Sequence, residues 1–299
     1  MDATTAADQE TQMSHTTRDP HLSREEQPGL DTDRFADDWR SWHQAHEKGR
    51  TDPLGILSAT GLYFLDDDPL RVDGVPGSWR LVEGQPQVDL APGETLTDGC
   101  QELTGSVALG DRIARGGAML GFDAEGAHGV AEVAWRGSSV MLRPRRSDSA
   151  YLAHFPGTPA YPADPRWVVP AHFDAYQEVH EETVGAVIDG LQHHFDSPGV
   201  LTFTIDGTDY RLTAFTGGDD GSLTVLLRDA TSGVTTYPAS RTLRVAAPDA
   251  QGDTVIDFNR ATNLPCAYTD FATCPLPPVE NRLPIAVEAG EKLPVSRVS

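Results

Sequence analysis

The chain predicts a mostly β protein, an antiparallel barrel-like or two-layer sandwich, with one N-terminal helix and a long proline-rich C-terminal loop. Three observations carry this. Short apolar segments recur along most of the 299 residues, separated by Gly, Pro, Asp and Asn. A single segment near the N-terminus has clear helical period. The last fifth, Asp257 to Lys292, has neither helical nor strand period and concentrates prolines with polar side chains.

Taken in order, residues 1 to about 32 repeat Thr, Asp, Glu and Gln with hardly any large apolar side chain. Such a segment cannot bury enough surface to offset its ordering entropy, so a disordered acidic tail is expected. A helix follows from about Arg34 to Lys48, where Phe35, Trp39 and Trp42 recur at i, i+4 and i+7 as one apolar stripe. Asp31 or Asp33 can cap its start, and Gly49 and Pro53 end it. Gly55 to Leu65 reads as a strand pair or a bent strand.

From there the β pattern takes over. His128 to Trp135 and Ser139 to Arg143 predict two strands around Arg136-Gly137-Ser138. Val200 to Ile205 alternates, and Asp206-Gly207 after it favours a tight turn with positive φ at both central residues. Tyr210 to Phe215 should return antiparallel, with Leu223 to Leu227 next. Thr235 to Tyr237, Thr242 to Ala246 and Val255 to Phe258 complete the expected strands. The 156–170 segment holds five prolines and reads as a connection between two β lobes of one domain spanning 33–295. The N-terminal half looks short of apolar residues for a core of its own.

Composition excludes several function classes. Net charge is -22, with 45 acidic against 23 basic residues, which repels phosphate backbones and anionic lipid surfaces. Neither nucleic acid nor membrane is an expected partner. There is no apolar run of membrane-spanning length and no export signal, so a cytoplasmic protein is expected. Three cysteines, Cys100, Cys266 and Cys274, do not make a disulfide framework. P-loop, dinucleotide and serine-hydrolase fingerprints are missing, and no metal or other cofactor is expected. Gly116-Gly117 and Gly217-Gly218 read as turns.

The candidate site lies in the C-terminal loop, because polar residues gathered on an ordered loop are where binding or catalysis sits. Arg241, Arg260 and Arg282 could grip a small anion, since a guanidinium offers a planar fork of donors to carboxylate or phosphate. Asn259, Asn281, Tyr237 and Lys292 would complete that pocket. Asp257 or Glu280 could act as general acid or base. A second reading makes the same loop a non-catalytic structural or partner-binding clasp, its arginines neutralised by neighbouring carboxylates. A third builds a thiol enzyme or redox sensor on Cys266 and Cys274. Oligomeric state is not legible in the chain.

The words DFNRA-x-N-x-PCAY, TCPLPP-x-ENRLP and AGEK of this stretch resemble the bacterial and archaeal domain-of-unknown-function 1684 family. LSATGLYFL, FPGTPAYPADPRW and RDATSGVTTYPASR extend the resemblance from about residue 36 to Lys292. It implies one domain of that type and a site region in the C-terminal words, and it implies no activity.

Overall fold

The computed structural model describes residues 32–114 and 116–298. The expected tail, residues 1 to about 32, lies almost wholly outside the described residues.

The fold is mostly β, and its sheets are antiparallel. One sheet has six strands in the spatial order Tyr63–Phe64, Ser139–Arg146, Ala127–Arg136, Ala118–Ala124, Leu96–Asp98, Gln101–Leu103. A second has seven, in the order Asp253–Asp257, Val168–Gly185, Gln192–Ile205, Thr208–Thr216, Leu223–Leu227, Arg241–Val245, Thr262–Asn263. Ser78–Val82, Gln85–Asp89 and Ser106–Ala108 form a small third sheet. Among the described residues no sheet closes into a barrel; each runs from one edge strand to another, as in a sandwich-like fold.

The tight turn at Asp206-Gly207 has positive φ at both residues (49° and 75°) and sets the register Phe203↔Tyr210. Gly55 to Leu65 is a 3-10 turn, Ile56–Ser58, followed by a two-residue strand. Thr235 to Tyr237 is irregular rather than a strand, because Thr236 is taken by side-chain and backbone bonds to Thr231.

The N-terminal lobe has a core of its own, contrary to the expected shortage of apolar residues. Trp79, Val88, Leu96, Leu120, Val133 and Leu142 are buried together there. The seven-stranded sheet has a separate core around Leu201, Leu212, Val225, Leu243 and Ile256. A third cluster joins Leu57 to Tyr237, Cys266, Tyr268 and Cys274, with Tyr151 and Phe155 beside it. Burying apolar surface at this junction, at about 25 cal/mol per Å², fixes the C-terminal loop against residues of the first lobe.

The helix, Thr32–Arg50, lies on the C-terminal lobe. Trp39 donates its indole N–H to the Asn259 carbonyl at 2.7 Å. No residue of the helix is fully buried; its facing stripe of Phe35, Trp39, Trp42, His43, His46, Glu47 and Arg50 is half-buried.

Candidate functional site

A dense cluster of charge sits on the hairpin Ala127–Arg136/Ser139–Arg146. Antiparallel register pairs Glu132 with Arg143, Ala134 with Met141 and Arg136 with Ser139. Because side chains alternate, Ala131, Val133, Val140 and Leu142 enter the first lobe's core. Glu132, Arg136, Arg143 and Arg145 share the opposite face.

Glu132 and Arg143 form a two-pronged pair, Nε to Oε2 at 2.8 Å and Nη2 to Oε1 at 2.7 Å, with both side chains nearly buried. Arg145 donates to the same carboxylate and to the Leu54 carbonyl at 3.1 Å. Arg136 reaches Glu132 only at 3.4 Å and the Thr273 hydroxyl at 3.3 Å. Three guanidiniums therefore face one carboxylate, an excess of two positive charges in a chain of net charge -22. The Arg145 Nε is buried with no hydrogen-bond partner among the described residues.

Arg136, Arg143 and Arg145 line a cleft of about 590 Å³ together with Trp135, His193 and Cys274. Its other wall is the C-terminal loop at Leu264, Pro265 and Ala272 to Pro275. Burial alone would raise the Glu132 carboxyl, but Arg143 and Arg145 outweigh it and hold it below its ordinary range. Burial lowers His193, Arg136 adds to that, and a bond to the Thr273 carbonyl opposes it.

The residues singled out in the C-terminal loop are not gathered in this cleft. Arg241 is fully buried, paired with Asp229 at 2.7 Å, and donates to the carbonyls of Val287, Ala289 and Glu291. Asn281, also fully buried, accepts from Thr213 N and donates to the Thr213 and Leu226 carbonyls at 2.7–2.9 Å. It therefore acts as a short extra strand. Asn259 pairs in the same way with the Asp164 backbone. Asp257 caps the turn Phe258–Arg260 through Asn259 N and holds Arg260 at 3.2 Å. Lys292 places its ammonium over the Tyr161 ring at 4.2 Å. Glu280 and Arg282 are exposed and outside the cleft.

Arg260 borders a second cleft, of about 540 Å³, with Trp42, His46 and Arg244. There each arginine has its own carboxylate, Arg260 with Asp257 and Arg244 with Asp220, so no positive excess remains. A third, of about 900 Å³ on the face of the seven-stranded sheet, sets Arg211 against Asp209 and Asp253.

Tyr237, Cys266 and Cys274 lie together in the junction core, and all three cysteines are free thiols. Cys274 Sγ accepts the Cys266 backbone N–H at 3.1 Å. A bond from Cys274 lowers the Cys266 thiol, burial opposes, and Tyr237 helps. Cys274 is pushed far up by its bond to Cys266 and by burial, so it stays protonated where it meets the cleft.

The hairpin arginines were the residues that reasoning on the C-terminal words passed over. A signal existed: in AEVAWRGSSVMLRPRR the turn at Gly137-Ser138 puts Glu132 opposite Arg143, with Arg136 and Arg145 at even spacing on the same face.

The family described as "Protein of unknown function (DUF1684)" matches residues 153–292. LSATGLYFL lies outside the matched residues. Among solved structures, the solution NMR structure of an uncharacterized protein from gene locus rrnAC0354 of Haloarcula marismortui is similar, at 30% sequence identity with a TM-score of 0.40. That match covers 48% of this chain and 79% of the archaeal one. No curated protein matches the chain.

Proposed function

This chain belongs to the DUF1684 family of proteins of unknown function, and from that premise we propose that it binds a small anion, of carboxylate or phosphate class, in the cleft between its two lobes. One observation carries the reading: Arg136, Arg143 and Arg145 share the single carboxylate of Glu132 beside open space. Guanidinium forks match carboxylate and phosphate oxygens in a two-pronged way. Two unbalanced charges in this partly buried place are costly, and an entering anion relieves them. The reading assigns binding and no reaction. Cytoplasmic residence fits the free thiols of Cys100, Cys266 and Cys274. Among the described residues, no helix is long and apolar enough to cross a membrane.

Thermal-shift and calorimetric titration with phosphorylated and carboxylated metabolites tests this, since a site ligand raises the melting temperature by mass action. Arg136→Gln is the variant of choice, because its bonds to Glu132 and Thr273 are long and its loss should spare the fold. Binding that disappears in this variant supports the cleft; no response across the panel rejects it.

A second reading, the ion-paired clasp, is favoured by Arg241. Its guanidinium is spent on Asp229 and three carbonyls of the C-terminal segment. On this reading the clasp holds the loop that walls the cleft.

A further inference from the structure

The stripe of the Thr32–Arg50 helix that faces the C-terminal lobe changes chemistry halfway along. Its early turns present Phe35, Trp39 and Trp42, and its late turns present His43, His46, Glu47 and Arg50. Opposite the late turns stands Glu291, 1% exposed. Gly290 directs it there: φ is +75°, and a Cβ would lie 2.4 Å from the Ala261 carbonyl. The carboxylate is divided between two sets of partners. Oε2 accepts from Asn263 N at 2.6 Å and from the Tyr268 hydroxyl at 3.3 Å. Oε1 faces the helix, 2.7 Å from Arg50 Nη2, 3.7 Å from His43 Nε2 and 3.9 Å from His46 Nε2. Glu47 is held in a similar way: Oε2 accepts from Thr158 N at 2.8 Å, while Oε1 meets the Thr158 hydroxyl at 3.1 Å and Arg50 Nε at 3.2 Å.

We propose that His43, Glu47 and Glu291 bind one divalent transition-metal cation of the zinc type, independently of the anion cleft. Their ligand atoms all lie within 4.8 Å of one another, a spacing one cation can bridge. His43 Nε2 is buried and has no hydrogen-bond partner among the described residues, although its ring is fixed parallel to Trp39 at 4.9 Å. A buried donor or acceptor left in this state is destabilising, and a metal bond would satisfy it. Charge makes the same point. Two carboxylates meet one guanidinium, so one negative charge lacks a partner in a largely buried place.

Arg50 helps to select the ligands. Its Nη2 donates to His46 Nε2 at 2.7 Å and thereby occupies that nitrogen, which leaves His43 as the available imidazole. Arg50 is itself anchored by the Thr158 hydroxyl at 2.6 Å and by the face of Tyr268 at 4.5 Å. The backbone amides of Asn263 and Thr158 orient the two carboxylates from behind, as outer partners of metal ligands do. One imidazole with two carboxylates suits zinc or cobalt better than magnesium or calcium, which prefer all-oxygen surroundings.

The test uses the full chain freed of metal by chelation, then titrated with Zn²⁺ by calorimetry and with Co²⁺ by visible absorption. One ion per chain is expected, with cobalt ligand-field bands and a melting temperature that climbs with free Zn²⁺. His43→Gln should lower affinity at least about tenfold while the metal-free variant melts near the parent. Glu47→Gln gives a second reading if that variant folds poorly. No stoichiometric uptake by the parent chain overturns the proposal. So does uptake that His43→Gln and Glu47→Gln leave intact, which would place the ion at the thiols or on surface acids. Arg136→Gln should not change the cation titration, so this test fails or succeeds apart from the anion site.

Discussion

Arg241 and Asp229 meet at 2.7 Å with side chains 1% and 0% exposed, and between them they tie three parts of the chain. Asp229 accepts from Thr231 N at 2.7 Å and Val287 N at 3.3 Å, while Arg241 holds the carbonyls of Val287, Ala289 and Glu291. Removing one partner leaves the other charge buried and alone. Arg241→Met or Asp229→Asn should each cost about 3–5 kcal/mol in urea unfolding. The double change should cost less than the sum of the two, because neither charge is then stranded. Additive losses would show that the two side chains stabilise the fold independently.

Asn281 offers a second measurement of how the C-terminal loop is held. Its amide completes hydrogen bonds for Thr213 N, Thr213 O and Leu226 O, where no water reaches. Asn281→Ala strands those groups and should cost about 3 kcal/mol, the range for buried unsatisfied polar groups. Asn281→Asp keeps the acceptor but replaces the donor with a buried negative charge, so it should be no milder. A melting temperature within a degree of the parent for both variants would contradict this role.

Much of the fold was legible from local pattern. The 206–207 turn and the two flanking strands follow from alternation and one dipeptide. The helix follows from its aromatic stripe. The 168–185 strand did not stand out, because from Asp174 to Thr183 it is mostly exposed and carries Asp, Gln, Glu and His. Its few apolar residues there, Ala175, Tyr176 and Val179, keep no strand period; pairing of 171–175 and 180–185 with Gln192–Ile205, on either side of an irregularity, holds it extended. The site was harder for the same kind of reason. Arg241, Asn259 and Asn281 are rich in donors wherever they lie, and whether those donors face a cavity or a carbonyl depends on tertiary packing. Glu132 with Arg136, Arg143 and Arg145 could be placed on one face from the hairpin register alone. That this face turns toward Thr273 and Phe271, more than a hundred residues away, could not be read locally.

His193 gives a pH dependence with a definite sign. Burial lowers its folded-state value beneath the ordinary 6.5, so the unfolded chain binds the proton more readily. Stability from the neutral ring is present above 6.5 and declines as pH falls below it. The melting temperature of His193→Gln relative to the parent should therefore improve between pH 7 and pH 5. Proton NMR should place the His193 midpoint below the ordinary 6.5. A gap between the two proteins that stays constant with pH would show that the ring does not titrate as its burial demands.

Glu132→Gln separates the cost of the arginine cluster from its use. The carboxylate is held below its ordinary range by Arg143 and Arg145, so at neutral pH it is charged and its loss leaves three guanidiniums facing no acid. Without ligand, the variant should lose about 3–5 kcal/mol, as expected for breaking a buried pair. The same loss raises the positive excess lining the cleft from two charges to three. Inorganic phosphate or a dicarboxylate should then raise the melting temperature of the variant by more than it raises that of the parent, since the anion replaces what was removed. The two effects have opposite signs on one substitution, which a purely structural arginine cluster does not produce. A variant that is destabilised and gains nothing from added anions would mark Glu132 and its arginines as an internal support for the lobe junction.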